Sequence, residues 1–498
     1  MNVNPITRLD YPDPDVIRVE DTYYMVSTTM HFMPGCEILQ SFDLVHWEHV
    51  TYVYETLDHT DAQQLKSGQN IYGQGMWAAS LRYHEGRFYI CFVANDTRKT
   101  YLYTSEKIDG PWKKQLIEGF YHDGSLLFDE DGRNYIVYGN DEIWITELNE
   151  DLTAPKKDGL HRLLVSDHKN PELGYEGSHI QKINGYYYIF LVHSLRDRWM
   201  RTEACFYSDS LEGEFTGGDV LCDDRGYCGQ GVAQGGIVDT PDGKWYAMLF
   251  QDSGAVGRIP ILLPVTWKDH FPFFGQNGHV PEEIEVHSTR PGYIYQPLVG
   301  SDDFCNGLLP RWQFNHDPDP RYYHLDALQG TYTITTREVC TELTQAVNTL
   351  TQRMSYPSCA AEVTVDASAL KEGDVAGLCA LQSCYAAVGI TKHHGKYEVL
   401  MLDKKEDGIL DMTEGTVVES HQMDFRLEAD FCNMKDEARC YYRINKGDWL
   451  PIGTVHKLYF KLDHFTGCRF GLFCYAAEET GGSACFRDFK YYDVDEIS

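Results

Sequence analysis

Hydrophobic and polar residues alternate in short runs along most of the chain, and turns rich in Gly, Asp and Asn separate these runs. A period of two is the signature of a β-strand. The stretch "EGSHIQKINGYYYIFL", which starts at Glu176, contains two such runs joined by Asn184-Gly185, a dipeptide that favours a tight hairpin turn. Tyrosine is abundant at 34 residues, which also favours strands. The pattern predicts an all-β chain.

This hairpin pattern recurs in the N-terminal part of the chain. Each copy has a short polar or small head, a strand, a turn at Gly or Asp, and a second strand with paired aromatic residues. The copies are "DPDVIRVEDTYYMV", "AASLRYHEGRFYICF", "DGSLLFDEDGRNYIVY", "EGSHIQKINGYYYIFL" and "QGGIVDTPDGKWYAMLF". Five copies with several strands each predict a five-bladed β-propeller. A meandering β-sandwich with chance similarity is the alternative.

The heads of the copies are candidate functional residues, because the innermost strand of each propeller blade lines the central channel. The heads are Asp13, Ala78 (preceded by Trp77), Asp123, Glu176 and Gln234. Three of them are carboxylates from different blades. Any one alone is readily explained as a turn or cap residue. Like charges brought together disfavour each other's ionisation, so three in register indicate chemistry rather than stability.

A second domain follows a passage punctuated by Pro and Gly, "STRPGYIYQPLVGSDDF". After it, short alternating runs such as "AAEVTVDAS" and "CRFGLFCYA" predict a β-sandwich. We expect a propeller at residues 1–287, a linker at 288–301 and a sandwich at 302–498. The stretch "WQFNHDPDPRYYHL", rich in polar aromatic side chains, is expected to face the first domain.

Charge and cysteine content restrict the partners and the compartment. A formal net charge of −32 argues against nucleic acid or an anionic membrane as partner and suits a neutral small molecule. No apolar stretch is long enough to span a membrane, and the N-terminus has no signal-peptide pattern. The fifteen cysteines show no metal-ligand spacing, so no metal-ligating residues are assigned among them, and they predict a cytoplasmic protein with free thiols. A homo-oligomer is compatible with these features.

Three converging carboxylates match the requirements of glycosidic bond cleavage. One carboxyl group must protonate the leaving oxygen, and a second must be ionised to activate water or to attack. A third can keep the acid protonated and orient it. Phe32 and Trp77, near the heads, are candidates for stacking on a sugar ring. Arg258, in a Gly-rich apolar setting, is a candidate for binding a hydroxyl group or orienting a carboxylate.

The ordered motifs resemble those of family 43 glycoside hydrolases, from "NPITRLDYPDPDVIRVEDTYYMVSTT" to "GGIVDTPDGKWYAMLFQDSGAVGRIP". The region from "SDDF" onward is similar to the concanavalin-like C-terminal sandwich of one branch of that family. The resemblance implies an inverting enzyme on a five-bladed propeller, active on β-xylosides and α-L-arabinofuranosides. By motif it implies Asp13 as general base, Glu176 as general acid and Asp123 as the residue that tunes the acid. It also places three side chains in the sugar pocket: Phe32, Trp77 and Arg258.

One head departs from the family pattern. Many family members carry a histidine there, associated with a calcium ion in the channel, whereas this chain has Gln234 in "VAQGG". The resemblance therefore leaves a structural calcium ion in doubt, and Gln234 is equally a candidate for contacting water or sugar. No cofactor is expected to take part in the chemistry.

The combined prediction is an exo-acting, inverting hydrolase that releases a terminal pentose from short plant-polysaccharide oligosaccharides. β-1,4-Xylosidase activity is favoured, and α-L-arabinofuranosidase or dual activity is the alternative. Inversion requires the carboxyl groups of Asp13 and Glu176 to lie about 6.5–9.5 Å apart. From other classes, the rivals are a non-catalytic carbohydrate-binding propeller and a protein-binding scaffold.

Overall fold

The computed structural model describes residues 2–413 and 415–493, so the predicted domain ends at 1 and 498 lie outside the described residues. The chain forms five four-stranded antiparallel sheets followed by two larger sheets. Helix in the described residues is limited to four short 3₁₀ turns, Lys66–Gly68, Gly254–Val256, Leu343–Gln345 and Cys432–Met434. None of the described helices is long and apolar enough to cross a membrane.

The five small sheets are the blades of a propeller. Their strands, innermost first, are Asp15–Val19, Thr22–Val26, Gly35–Ser41 and Glu48–Tyr54 (blade 1); Met76–His84, Arg87–Ala94, Lys99–Ser105 and Lys113–Ile117 (blade 2); Ser125–Phe128, Asn134–Asn140, Glu142–Leu148 and His161–Ser166 (blade 3); Glu176–Ile183, Tyr186–Ser194, Arg201–Ser208 and Thr216–Leu221 (blade 4); and Ala233–Asp239, Trp245–Asp252, Arg258–Lys268 and Phe271–Phe274 (blade 5). The first strand of each blade contacts the first strands of both neighbouring blades, which closes a ring around the axis. Asn2–Val3 pairs with Glu283–Ile284, which ties the start of the chain to the segment after blade 5.

Alternating apolar side chains hold the blades together. Ile38 of blade 1 and Leu81 and Ile90 of blade 2 are fully buried in one cluster between the two sheets. Burying each such side chain contributes about 1.5–3 kcal/mol relative to leaving it exposed. The period-two pattern therefore gives each blade apolar faces that pack against its neighbours.

The C-terminal domain is a sandwich of two antiparallel sheets. One sheet orders Leu410–Met412, Lys396–Lys404, Ala386–His393, Asp374–Leu381, Arg469–Ala476, Leu350–Arg353, Gln313–Asn315 and Phe32–Met33, with Thr416–Val418 also paired to Lys396–Lys404. The other orders Tyr323–Asp326, Thr331–Thr335, Ser483–Asp493, Ser358–Asp366, Gln422–Asp430, Glu437–Arg443 and Leu450–Lys457. A continuous apolar core, including the fully buried Leu378, Val388 and Phe425, fills the space between them. The architecture confirms the predicted propeller followed by a sandwich and rules out a single meandering sandwich.

The two domains share secondary structure and a buried ion pair. Phe32–Met33, which lies between two strands of blade 1, pairs with Gln313–Asn315 and so extends a sheet of the sandwich. This contact lies within the aromatic-rich segment that was expected to face the propeller. Nearby, the Arg353 guanidinium lies 2.9 Å from the Glu37 carboxylate, and both side chains are almost completely buried. The residues between the domains, 288–301, contain no strand, and Arg290 there pairs with Asp21 of blade 1 at 2.8 Å.

Candidate active site

The heads of several inner strands have an unusual backbone conformation. The φ angles of Asp13, Asp123 and Gln234 are 52°, 47° and 64°, in the left-handed region. In blade 4 the left-handed residue is Gly177, directly after Glu176, with φ 66°. A Cβ atom on Gly177 would lie 2.8 Å from the Gln234 Cγ, so glycine is required there. Such strained conformations cluster at functional sites, and here they recur where the blades meet.

A cavity of about 800 Å³ lies at these heads, and both domains contribute to its walls. Six of the seven predicted site residues line it, namely Asp13, Trp77, Asp123, Glu176, Gln234 and Arg258. Phe32 does not belong to this lining, which corrects the expectation that it contacts sugar. Its side chain is 2% exposed, and its ring lies 3.4 Å from the Arg469 guanidinium, because its short strand has joined the sandwich sheet.

Asp13 is held by a buried arginine. Arg258 Nη1 donates to Asp13 Oδ1 at 3.1 Å, and Thr28 Oγ1 donates to Asp13 Oδ2. The Asp13 and Arg258 residues are only 6% and 2% exposed. Charge-assisted hydrogen bonds of this kind are strong and fix geometry, so Asp13 has a defined orientation at the cavity.

Asp123 and Glu176 are linked through the backbone of blade 4. The Gly177 amide donates to Asp123 Oδ2 at 3.0 Å, and Asn140 Nδ2 donates to Glu176 Oε2 at 2.7 Å. Burial raises the pKa of Asp123 to about 6, and the nearby carboxylates of Glu176 and Asp13 act in the same direction. Asp123 therefore fixes the start of the strand that carries Glu176 and is itself a perturbed acid.

A histidine that the sequence analysis did not identify lies between these two acids. His122 Nε2 is 3.5 Å from Glu176 Oε2 and 3.6 Å from Asp123 Oδ2. Burial alone would lower the pKa of the imidazole, but the two carboxylates outweigh burial and raise the pKa of His122 to about 9. His122 is thus a cation at neutral pH. Its only sequence signal is its position directly before the Asp123 head.

A second buried ion pair, also missed, connects blades 4 and 5. Arg201 Nη1 donates to Asp252 Oδ2, and both residues line the cavity. Burial, together with the nearby Arg258 guanidinium, lowers the pKa of Arg201 to about 10. Arg201 begins the third strand of its blade and Asp252 ends the second strand of the next. No local motif could have indicated a pairing that depends on how two blades dock.

The sandwich domain supplies one wall of the cavity. Residues 457–462 and Phe465 line it, and the Phe465 ring lies 4.2 Å from the Arg258 guanidinium. The Phe465 and Trp77 rings are 5.5 Å apart, so aromatic residues from both domains meet at the site. Arg258 Nη2 also donates to the Phe465 carbonyl at 3.4 Å. Nothing in the local sequence marks Phe465, because its role depends entirely on domain packing.

Just below the heads, oxygen atoms of the inner strands are already bound to an arginine, so this part of the channel does not fit a calcium ion. There Arg82 of blade 2 donates from Nη1 to Asp15 Oδ2 at 2.7 Å and from Nη2 to Ser125 Oγ at 2.6 Å and to the Ile180 carbonyl. These oxygen atoms come from blades 1, 3 and 4 and are already bound to a guanidinium cation. A divalent cation at this level would have to displace it. Gln234, the residue at the unusual head, lies at the cavity, and its backbone N–H donates to Glu203 Oε2 at 2.7 Å.

The described residues also include one group of side chains with potential metal-ligand atoms close together. His122, Asp123 and Glu176 place such atoms within 4.8 Å of one another. Imidazole nitrogen and carboxylate oxygen together suit a borderline divalent ion such as Zn²⁺. An ion bound there would occupy the carboxyl groups that the chemistry requires.

A five-bladed propeller that brings three carboxyl groups into one cavity, with a buried arginine and aromatic rings beside them, has the architecture of a glycoside hydrolase. Comparison with known proteins gives the family. The chain belongs to glycosyl hydrolases family 43, whose model matches residues 3–272. A second model, the beta xylosidase C-terminal concanavalin A-like domain, matches residues 301–492. These matches confirm the resemblance seen in the motifs.

Individual relatives match most or all of the chain. A solved structure described as a bifunctional GH43-CE from Bacteroides eggerthii is 42% identical with a TM-score of 0.93; it covers 100% of this chain, which spans 64% of that one. A beta-xylosidase from Formosa agariphila is 26% identical over 99% of this chain and 89% of that protein. A non-reducing end alpha-L-arabinofuranosidase from Bacteroides ovatus is 24% identical over 82% of this chain and 79% of that protein.

Proposed function

We propose that this hydrolase is exo-acting and inverting and removes a terminal pentose from short plant-polysaccharide oligosaccharides. β-1,4-Xylosidase activity is the favoured assignment, and α-L-arabinofuranosidase or dual activity is the alternative, since relatives of both names match the chain. The observation that carries the proposal is the cavity shared by Asp13, Asp123 and Glu176, with the sandwich forming one wall.

Each carboxyl group has a role that follows from its surroundings. Glu176 protonates the leaving oxygen, and Asp13 takes a proton from the water that attacks the opposite face of the sugar. The hydrogen bonds from Arg258 and Thr28 orient Asp13 for this step. Asp123 does not touch the reacting atoms; it positions Glu176 through the Gly177 amide.

The motifs indicate only negatively charged neighbours for Glu176, and the structure adds a positively charged one, His122. With a pKa of about 6 for Asp123 and about 9 for His122, the first is ionised and the second protonated between these values. Glu176 then has one negative and one positive neighbour. We propose that the His122 cation offsets part of the repulsion between the carboxyl groups of Asp123 and Glu176 and helps to hold Glu176 at the cavity.

The wall supplied by the sandwich supports exo action. Phe465 and the 457–462 segment line the cavity together with the heads of the blades, so the sandwich restricts the space that is available to an unbranched chain. A chain end can enter, and the cavity is large enough for a terminal sugar together with part of the leaving group.

Hydrolysis of a chromogenic β-D-xylopyranoside and α-L-arabinofuranoside by the wild type and by Glu176→Gln tests the proposal. Turnover of one or both that is lost in the variant supports it, and the ratio of the two rates names the preferred sugar. Wild-type turnover that survives Glu176→Gln contradicts the assigned acid. Sugar binding without any turnover favours the carbohydrate-binding alternative.

We further propose that turnover needs no divalent cation, because Gln234 replaces the histidine at the fifth head and the Arg82 guanidinium already binds oxygen atoms of the inner strands below the heads. Unchanged activity after EDTA treatment supports this, and loss that is restored by Ca²⁺ contradicts it. We also propose a cytoplasmic location with imported oligosaccharides as substrates, a proposal supported by fifteen free cysteines. Secretion of the active enzyme from its host would contradict that location.

A further inference from the structure

An exposed tryptophan at the cavity has no role in the chemistry proposed so far. Trp199 is 43% exposed, although tryptophan is usually largely buried. It nevertheless lines the cavity, together with Glu172 and Leu173 of the segment that leads into blade 4. A large aromatic side chain left open at a cavity is a common feature of ligand-binding surfaces.

Buried groups beneath Trp199 hold it in place. The Arg201 guanidinium lies 5.2 Å from the Trp199 ring, within the range of a cation–π contact. Arg201 is itself 8% exposed and pairs with Asp252 of blade 5. One side of the indole therefore rests on a fixed charge, and the exposed part remains available to a ligand.

The position of Trp199 relative to Glu176 defines which part of a substrate it can meet. In blade 4, Glu176 pairs with Val192 on the second strand, and Ser194 pairs with Arg201 on the third. Trp199 lies in the loop between these two strands, at the same end of the blade as Glu176 and farther from the propeller axis. The leaving group departs on the side of the general acid. Trp199 thus belongs to the same blade as the proposed general acid, whereas Asp13 and Arg258 belong to blades 1 and 5, and this arrangement favours a position on the leaving-group side.

We propose that Trp199 is a platform for the first sugar ring of the leaving group, and that the enzyme is therefore selective for oligosaccharides over glycosides with small leaving groups. This inference rests on the proposed function and extends it to the other side of the scissile bond. The apolar face of a pyranose ring suits an indole surface, and the cavity volume accommodates a second ring.

The test compares leaving groups at a constant terminal sugar. For the wild type and Trp199→Ala, kcat/KM is measured with xylobiose and with methyl β-D-xylopyranoside, or with the arabinose equivalents if that sugar is preferred. We expect Trp199→Ala to lower kcat/KM for the disaccharide about tenfold, as for a central aromatic contact, and to change the methyl glycoside less than about twofold. Trp199→Phe should restore most of the loss. Phe273→Ala, at a 49% exposed aromatic residue of blade 5 outside the cavity, is the matched control.

Three outcomes would contradict the proposal that Trp199 stacks on the first sugar of the leaving group. Equal losses on both substrates would show that Trp199 supports the fold of the site. An undiminished disaccharide rate would show that it contacts no leaving sugar, and a loss that Trp199→Phe fails to restore would exclude stacking as the cause. If the wild type hydrolyses neither substrate, the proposed function itself fails, and the platform fails with it. If the wild type hydrolyses the substrates and only the effects predicted for the Trp199 variants are not observed, the proposed function still stands.

Discussion

Replacing His122 by asparagine tests the balance of charges around the proposed acid. The variant removes the cation whose Nε2 lies 3.5 Å from Glu176 Oε2 and keeps a polar side chain of smaller size. The pKa of His122 is raised to about 9, so this cation is present throughout the neutral range in the wild type. A cation beside a carboxyl group favours the ionised form, and removing it makes the proton harder to lose. The alkaline limb of the rate profile should therefore move to higher pH.

The size of the shift follows from the geometry. Two unit charges at this separation interact by about 5 kcal/mol at an effective dielectric constant near 20. Both side chains are 20% exposed, and Asp123 competes for the same imidazolium, so only part of that energy acts on the acid. Oppositely charged neighbours at such distances typically shift a carboxyl group by about 1–3 pH units. We expect a displacement in this range.

The assay is kcat/KM for an aryl pentoside from about pH 4 to pH 10, which reports groups of the free enzyme. His393→Asn, at the exposed end of a strand in the sandwich, is the control and should leave the profile unchanged. An alkaline limb that stays in place or moves to lower pH in His122→Asn would refute the reasoning.

Other predictions concern the domain interface. Phe465→Ala removes the ring that covers the Arg258 guanidinium at 4.2 Å. We expect kcat/KM to fall about tenfold with little change in Tm. An unchanged kcat/KM would contradict a role for the sandwich wall. Arg353→Met leaves the 2% exposed Glu37 with His49 at 3.0 Å as its remaining partner, which should lower the free energy of unfolding by about 3–5 kcal/mol in urea titration. Adding Glu37→Gln should recover part of the loss, and a single variant as stable as the wild type would refute this. Burial holds the pKa of His31 well below its usual range, so the unfolded chain binds a proton that the folded chain excludes, and stability should fall as pH drops below about 6.5. His31→Phe should reduce this decline between pH 7 and pH 5, and an equal decline in the variant and wild type would contradict it.

The repeat predicted the fold and the convergence of the heads on one cavity, because the period-two pattern and the aligned heads are local features of the sequence. Asp13, Asp123 and Glu176 meet since equivalent positions of successive blades point to one axis. Phe32 shows where this reasoning ends: the pattern does not reveal that its two-residue strand leaves the blade to extend the sandwich sheet. In a strand, neighbouring side chains face opposite sides, so a small change of path redirects a residue.

Residues brought in from elsewhere in the chain were beyond prediction for a different reason. Phe465 reaches the cavity only because the sandwich docks on the propeller, and Arg201 meets Asp252 only because two blades pack side by side. His122 is adjacent to a predicted head, but its importance depends on its distance to Glu176, which is set by the packing of blades 3 and 4. Contacts between separate elements leave no periodic signal in the sequence.

The most direct test of the central claim separates the general acid from the general base by varying the leaving group. A dinitrophenolate departs without protonation, whereas a sugar alkoxide needs an acid, which contributes roughly 10²–10⁴-fold. Glu176→Ala should therefore lose about that factor in kcat/KM on xylobiose but retain much of its rate on a dinitrophenyl β-xyloside, and Asp13→Ala should lose activity on both. If Glu176→Ala loses the same factor on both substrates, or loses activity on neither, Glu176 is not the acid, and the assignment of this cavity as described is wrong.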